Sequence, residues 1–156
     1  LFRLVDTLVM ISPNFAPRDA TAEILIRPGG PQLARLMIGD TRSWQPYNEL
    51  QARYWSTTYP TEALVEMMRL VDLARSKLPL TLDQAVLTVF SPNDQVIDVE
   101  RIRTSLAQID SPRIRTLELA ESGDPSNHVL AGDILAPENN AAITGQIVRF
   151  VTNADL

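Results

Sequence analysis

Val86-Leu87-Thr88-Val89-Phe90-Ser91-Pro92-Asn93-Asp94-Gln95-Val96-Ile97-Asp98 decides how this chain reads. Val86 to Phe90 is a short apolar run of the kind expected of a strand covered on both faces. Ser91-Pro92-Asn93 then breaks the run and carries Asp94 onto a loop. Thirty-four residues after Asp94 stands the only histidine, in Ser126-Asn127-His128. A buried strand that delivers an acid onto a loop, with one imidazole downstream, is two thirds of a nucleophile, base and orienting-acid system. The remaining third is missing, because the chain contains no G-x-S-x-G turn of the kind that exposes a catalytic serine between a strand and a helix. The segment reads as the back half of an enzyme.

Outward from that stretch, apolar runs alternate with helical periodicity. Leu8-Val9-Met10-Ile11 is a second covered strand within Thr7 to Ile11. Ile114 to Leu119 is a third, with Leu117 and Leu119 alternating with polar residues as in a strand nearer an edge. After the second strand in chain order, Val99, Ile102, Leu106 and Ile109 share one face of a helix predicted over 99–109. After the third, beyond the His128 loop, Ile143, Ile147, Phe150 and Val151 share a face of a helix predicted over 138–151, with Pro137 placed to start it. The order is strand, insert, strand, helix, strand, helix, which implies an α/β fold with about three parallel strands.

The insert, 14–84, is too long for a plain crossover. Ser12-Pro13-Asn14-Phe15-Ala16-Pro17 punctuates its entry and Lys77-Leu78-Pro79-Leu80 its exit. Glu62 to Leu78 is the strongest helical pattern, with Leu64, Met67, Met68, Val71 and Leu78 expected on one face. Glu66 and Asp72 stand three residues before Arg69 and Arg75, and Glu62 suits the positive end of the helix dipole. Pro31 to Ile38 predicts a shorter helix through Leu33, Leu36 and Met37, entered from Pro28-Gly29-Gly30. Trp44, Tyr47, Tyr54, Trp55 and Tyr59 concentrate aromatic bulk between the two helices. They could line an acyl pocket, although aromatic side chains more often supply packing area. Gly29-Gly30 lacks the spacing of a phosphate loop.

A formal charge of −5 over 156 residues and a pI near 4.8 argue against nucleic acid as a partner, since phosphate binding needs clustered Lys and Arg and the fourteen basic residues are scattered. No apolar run approaches the ~20 residues of a membrane span. The amino-terminal stretch is interrupted by Arg3 and Asp6, unlike a secretion signal. Zero cysteines exclude disulfides and thiolate metal sites, and with a single histidine they make a transition-metal site improbable. They suit the cytoplasm and an exported enzyme alike, so the compartment stays open, the cytoplasm slightly favoured. Because the first residue is Leu1 and a strand begins almost at once, the natural chain is expected to start upstream.

The order Leu8-Val9-Met10-Ile11-Ser12-Pro13, insert, Val86 to Ile97 and Ser126-Asn127-His128 resembles the carboxy-terminal half of an α/β-hydrolase, closest in flavour to the carboxylesterase, monoacylglycerol lipase and lysophospholipase group. That resemblance implies a core over 1–13 and 85–156 with a helical cap over 14–84. It also implies Asp94 as the acid at the end of the seventh strand and His128 as the histidine after the eighth. Family members often carry Gly before the acid loop, where this chain has Ser91-Pro92-Asn93. The first five strands, the oxyanion-hole loop and the serine elbow are not in the segment, so the upstream half of the protein or a second chain is expected to complete the sheet.

The residue types suit that chemistry. A serine hydroxyl is a weak nucleophile until an imidazole takes its proton, and a carboxylate fixes the imidazole's tautomer and stabilises the imidazolium. His128 is expected to be the base and Asp94 its orienting acid, placed outside the carboxyl end of a parallel strand where ligands bind in such sheets. Asp94 could instead form a turn with Asn93. Asp98 is the rival acid, though its place directly before Val99 reads better as an N-cap. Asp124 and Asp133 read as loop residues and Glu121 as a weaker orienter. The implied reaction is hydrolysis of a small-molecule ester, with an apolar acyl group suggested by the insert's composition and no cofactor. A hydrolase-like domain serving as a non-catalytic binding or scaffold module is the alternative, and a complete small domain in which Asp94 and His128 are unrelated is the third reading.

Overall fold

The computed structural model describes residues 5–152, so the outer ends of the expected core, 1–4 and 153–156, lie outside it. In chain order the elements are β1 (Thr7–Ile11), α1 (Gly30–Ile38), β2 (Thr41–Ser43), α2 (Glu49–Tyr54), β3 (Thr58–Pro60), α3 (Thr61–Ser76), β4 (Leu80–Thr81), β5 (Ala85–Phe90), α4 (Val99–Leu106), β6 (Ile109–Asp110), β7 (Ile114–Glu118) and α5 (Asn140–Val151), with 3-10 turns at Ala20–Ile26 and Pro137–Asn139. They form two compact units, one of residues 1–18 and 77–156 and the other Asp19–Ser76.

The first unit is built on the parallel sheet β1-β5-β7. Leu8 stands beside Val86 and Ile11 beside Val89, while Val86 stands beside Ile114 and Phe90 beside Glu118. The central strand is buried from Val86 to Phe90 because both of its faces, which alternate residue by residue, are covered. Val86 and Phe90 pack with Ile97, Ile102, Leu106 and Ile109. Leu87 and Val89 pack on the opposite face with Leu130, Ile143 and Phe150. Burying an aliphatic or aromatic side chain of this size stabilises by roughly 1.5–3 kcal/mol, so α4 and α5 are held to opposite faces of β5 by the strand's own alternation.

Helix α4 stops at Leu106, short of the predicted 109. Ile109 belongs instead to β6, which pairs in parallel with β4. It enters the same apolar cluster by either route, which is why periodicity alone assigned it to the helix. Helix α5 begins at Asn140 after the Pro137–Asn139 turn. Ile143 and Phe150 are buried as expected, but Val151 is half exposed because the helix ends there. The Arg113 guanidinium closes that end, stacking 4.1 Å from the Phe150 ring centroid and donating to the Phe150 carbonyl at 2.7 Å.

The second unit, Asp19–Ser76, lies within the expected insert, and the stretches on either side of it are tied to the sheet unit. Pro17 bridges Ile97, Arg18 donates its amide to the Val96 carbonyl, and Leu80–Thr81 pair with β6. Helix α3 buries Thr61, Val65, Met68 and Val71. Its inner face is therefore rotated from the predicted one, with Val65 replacing Met67, which is exposed. The exposed apolar residues of α1 are a second departure, since Leu36 and Met37 face solvent while Gly30 and Ala34 are buried. The small residues are the packing surface. A side-chain carbon at Gly30 would overlap the Ile24 carbonyl, and Gly29 before it has φ +79, a left-handed conformation that glycine adopts without steric cost. Unforeseen as well is the antiparallel pair of β2 and β3, whose three-residue strands are too short for a visible alternation.

Candidate functional site

The Asp94 loop is folded by its own polar residues. The Ser91 hydroxyl accepts the Asn93 amide at 3.1 Å and reaches the Ala120 carbonyl at 3.3 Å, to which the Asn93 side chain also donates at 3.0 Å. Ala120 follows β7, so these bonds fix the loop after β5 against the exit of the neighbouring strand. The Asp94 carboxylate then turns inward. Its Oδ1 accepts the amides of Val96 at 2.7 Å and Ile97 at 3.0 Å, and the side chain is fully buried. Arg18 donates to the Asp94 carbonyl at 3.2 Å and to Gln95 Oε1 at 2.5 Å.

The second Asp94 oxygen, Oδ2, lies 2.8 Å from Nδ1 of His128. With a carboxylate as acceptor, Nδ1 is the donor, and the neutral ring then carries its lone pair on Nε2. No described residue makes a hydrogen bond to Nε2, and the imidazole keeps 29% of its surface accessible. The structure thus brings together an acid held by two amides and an imidazole with one nitrogen engaged and one free. Such a pair can take a proton at Nε2 and return it.

The other acids stand elsewhere. Asp98 accepts the Arg101 amide at 3.0 Å as the N-cap of α4, and Asp133 accepts from Asn140 at 2.7 Å. Glu121 is exposed. Asp124 is a loop residue as read from sequence, but one buried beneath the His128 loop, a role the sequence reading did not single out. Its carboxylate accepts from the Ser126 amide at 3.3 Å, the Ser126 hydroxyl at 2.5 Å, the His128 amide at 2.9 Å and the Val129 amide at 3.0 Å. Burial pushes this carboxyl up, but the hydrogen bonds from the Ser126 hydroxyl and the Val129, His128 and Ser126 amides outweigh it and hold it below its ordinary value. The signal was present in Asp124-Pro125-Ser126, since an Asx side chain that bonds the amide two residues on is a turn signature.

Ser12 was also passed over, as mere punctuation after β1. Its hydroxyl donates to the His128 carbonyl at 2.6 Å, from a residue with φ 45. Asn127 is likewise left-handed at φ 52, a conformation Asn tolerates better than most residues; its side chain accepts the Ser122 amide at 3.1 Å.

A depression of about 510 Å³ lies on the outer side of the Asp94 loop, lined by Arg18, Asn93, Asp98, Glu100 and Arg103 among others, without His128. In the second unit a more apolar cavity of about 210 Å³ is lined by Ile24, Leu25, Leu33, Met37 and Ile38 together with Arg42. None of the aromatic residues between α1 and α3 lines it; Trp44 and Trp55 meet edge to face at 6.2 Å, and Tyr47 and Tyr54 are exposed. Among the described residues no group of three or more His, Cys, Asp or Glu side chains is arranged to hold a metal ion, and no helix is long and apolar enough to cross a membrane.

A three-stranded parallel sheet with helices on both faces and an insert after the first strand has the architecture of the carboxy-terminal part of an α/β-hydrolase fold. Among the solved structures that share it are two hydrolases. One is a soluble variant of monoglyceride lipase from Saccharomyces cerevisiae in complex with a substrate analog, matched with a TM-score of 0.59 at 8% identity over 93% of this chain and 55% of that one. The other is α/β-hydrolase domain-containing protein 10 from mouse, with a TM-score of 0.50 at 14% identity over 93% of this chain and 53% of that one. The chain therefore spans about half the length of each of these two structures. No family model matches the sequence, and no curated protein does. At these identities the likeness speaks for the fold.

Proposed function

We propose that this chain supplies the acid and the base of a serine hydrolase that cleaves carboxylic esters through an acyl-enzyme. The observation that carries the reading is the 2.8 Å contact between His128 Nδ1 and Asp94 Oδ2, with the other carboxylate oxygen held by two amides and Nε2 left open. In the acylation step the serine oxygen attacks the ester carbonyl carbon and its proton passes to Nε2 of His128. The imidazolium is stabilised by Asp94. That proton then goes to the alkoxy oxygen as the carbon–oxygen bond breaks, and the alcohol leaves. Water attacks the acyl-enzyme with His128 again as base, releasing the acid and restoring the serine.

The serine and its oxyanion donors come from the upstream half of the protein or from a second chain, which also completes the sheet beside β1. The insert between β1 and β5 is the cap of this enzyme, a role supported by its place in chain order. An apolar acyl group is the substrate feature that the insert's composition favours.

The test uses the full-length protein carrying this chain. Short and medium acyl p-nitrophenyl esters should be hydrolysed, and an organophosphonate should label one serine outside this segment. His128→Ala should abolish most turnover. Full activity in His128→Ala refutes the mechanism, and a folded wild type that neither hydrolyses nor labels points to the scaffold reading or to a bond other than an ester.

A further inference from the structure

We infer that Asp124 and Ser12 are positioning residues that clamp the main chain on either side of His128, an inference that rests on His128 acting as the base. The clamp has two jaws. One is the buried Asp124 carboxylate, which takes the His128 amide on the amino side at 2.9 Å and also the amide that follows the residue, Val129, at 3.0 Å. The other is the Ser12 hydroxyl, which donates to the His128 carbonyl of that same following peptide at 2.6 Å. With N and O of one residue both tied, its Cβ is placed, and only two side-chain torsions are left for the contact with Asp94 to set.

The bonding of Asp124 stays within the His128 loop. Its Oδ2 accepts the Ser126 hydroxyl and the two amides just named, and its Oδ1 accepts the Ser126 amide. None of these donors comes from the imidazole ring, so Asp124 acts through the backbone of His128 and is not a second orienting acid. The same loop is bolted to the acid's own loop, because the Gln95 amide donates to the Ser126 carbonyl at 2.8 Å. Ser12 leaves β1 with its amide on the Val89 carbonyl at 2.8 Å, so the second jaw is set by the strand pair that ends at the Asp94 loop. Base and acid are thus referenced to one frame.

Kinetics and imidazole NMR on the full-length protein separate this from a merely structural role. A misplacement of about 1 Å can cost on the order of 10²-fold in rate. Asp124→Ala is therefore expected to lower kcat about 100-fold with KM changed by less than about threefold, as expected when substrate binding is untouched. Asp124→Asn can turn its carbonyl toward the His128 and Val129 amides and should recover much of that loss. Ser12→Ala, which removes one bond, should fall between wild type and Asp124→Ala.

The ring ¹⁵N signals of His128, recognised by their loss in His128→Gln, should report an Nδ1–H tautomer in wild type and a mixture in Asp124→Ala. If Asp124→Ala does not fold, Asp124→Asn and Ser12→Ala carry the same two measurements. Folded variants with wild-type kcat and unchanged ring signals overturn the inference. If the wild type hydrolyses no ester, the reading of the reaction fails, while the ring signals still decide whether Asp124 and Ser12 place the imidazole.

Discussion

At the scale of the single residue, Asp94 and Asp98 separate two uses of the same carboxylate four positions apart. Asp94 is buried against the His128 ring, whereas Asp98 spends its carboxylate on the first turn of α4. Asp94→Asn keeps the shape but offers the ring a donor where it needs an acceptor. A change of that kind costs ~10⁴ in rate in a well-studied serine protease triad, and a loss of this order in kcat with a nearly unchanged unfolding midpoint is the expected result. Asp98→Ala should do the reverse, costing about 1 kcal/mol of stability through the lost cap with kcat intact; steady-state kinetics and urea unfolding on both variants check the pair. Thr88 poses a different question. It sits fully buried in the centre of β5, and its hydroxyl has no hydrogen-bond partner among the described residues. An unsatisfied buried polar group costs about 1–3 kcal/mol, so Thr88→Val, close in shape, is expected to raise the urea midpoint, and a lower midpoint would show that the hydroxyl has a partner.

At the scale of the element, the loop over 122–129 behaves as a small folded unit organised by one charge. Asp124 has its folded-state carboxyl held below the ordinary value, so the unfolded chain binds the proton more readily than the folded one. The sign follows from linkage: the stabilisation is fully present above the unfolded-state value, about 3.9, and is lost as pH falls through the lower folded-state value. The difference in melting temperature between wild type and Asp124→Asn should therefore be largest near neutral pH and shrink below about pH 4. A difference that stays constant down to pH 2 would mean that the loop does not depend on this carboxylate. The short elements around it show how local rules were overruled. Ile109 left the helix for a two-residue ladder because either position reached the same apolar cluster. On α1 the large apolar residues lost the inner face because only Gly30 allows the helix to approach the Ile24 carbonyl.

At the scale of the whole molecule, the sheet is open at β1. That strand pairs with β5 on one side only among the described residues, and Leu8 and Ile11 are exposed. An apolar edge of unpaired amides and carbonyls is a template for association. The 156 residues expressed alone should therefore self-associate in light scattering, with β1 amides exchanging faster than those of β5, and restoring the upstream half should suppress both. A monomer whose β1 amides are as protected as those of β5 would show that this edge needs no partner. The sequence by itself determined the three strands and their order with the two following helices, and it singled out Asp94 and His128 as the candidate acid and base. Covered strands and amphipathic helices write their burial into local periodicity, and a single histidine in 156 residues leaves one candidate imidazole. What only the tertiary structure decided was whether Asp94 and His128 meet, and what holds them. The contact between their side chains spans thirty-four residues of chain, and the jaws around His128 include a serine 116 residues away. Hydrogen bonds between residues so far apart leave no period in the sequence, because the packing of β1, β5 and β7 side by side brings their loops to a common end.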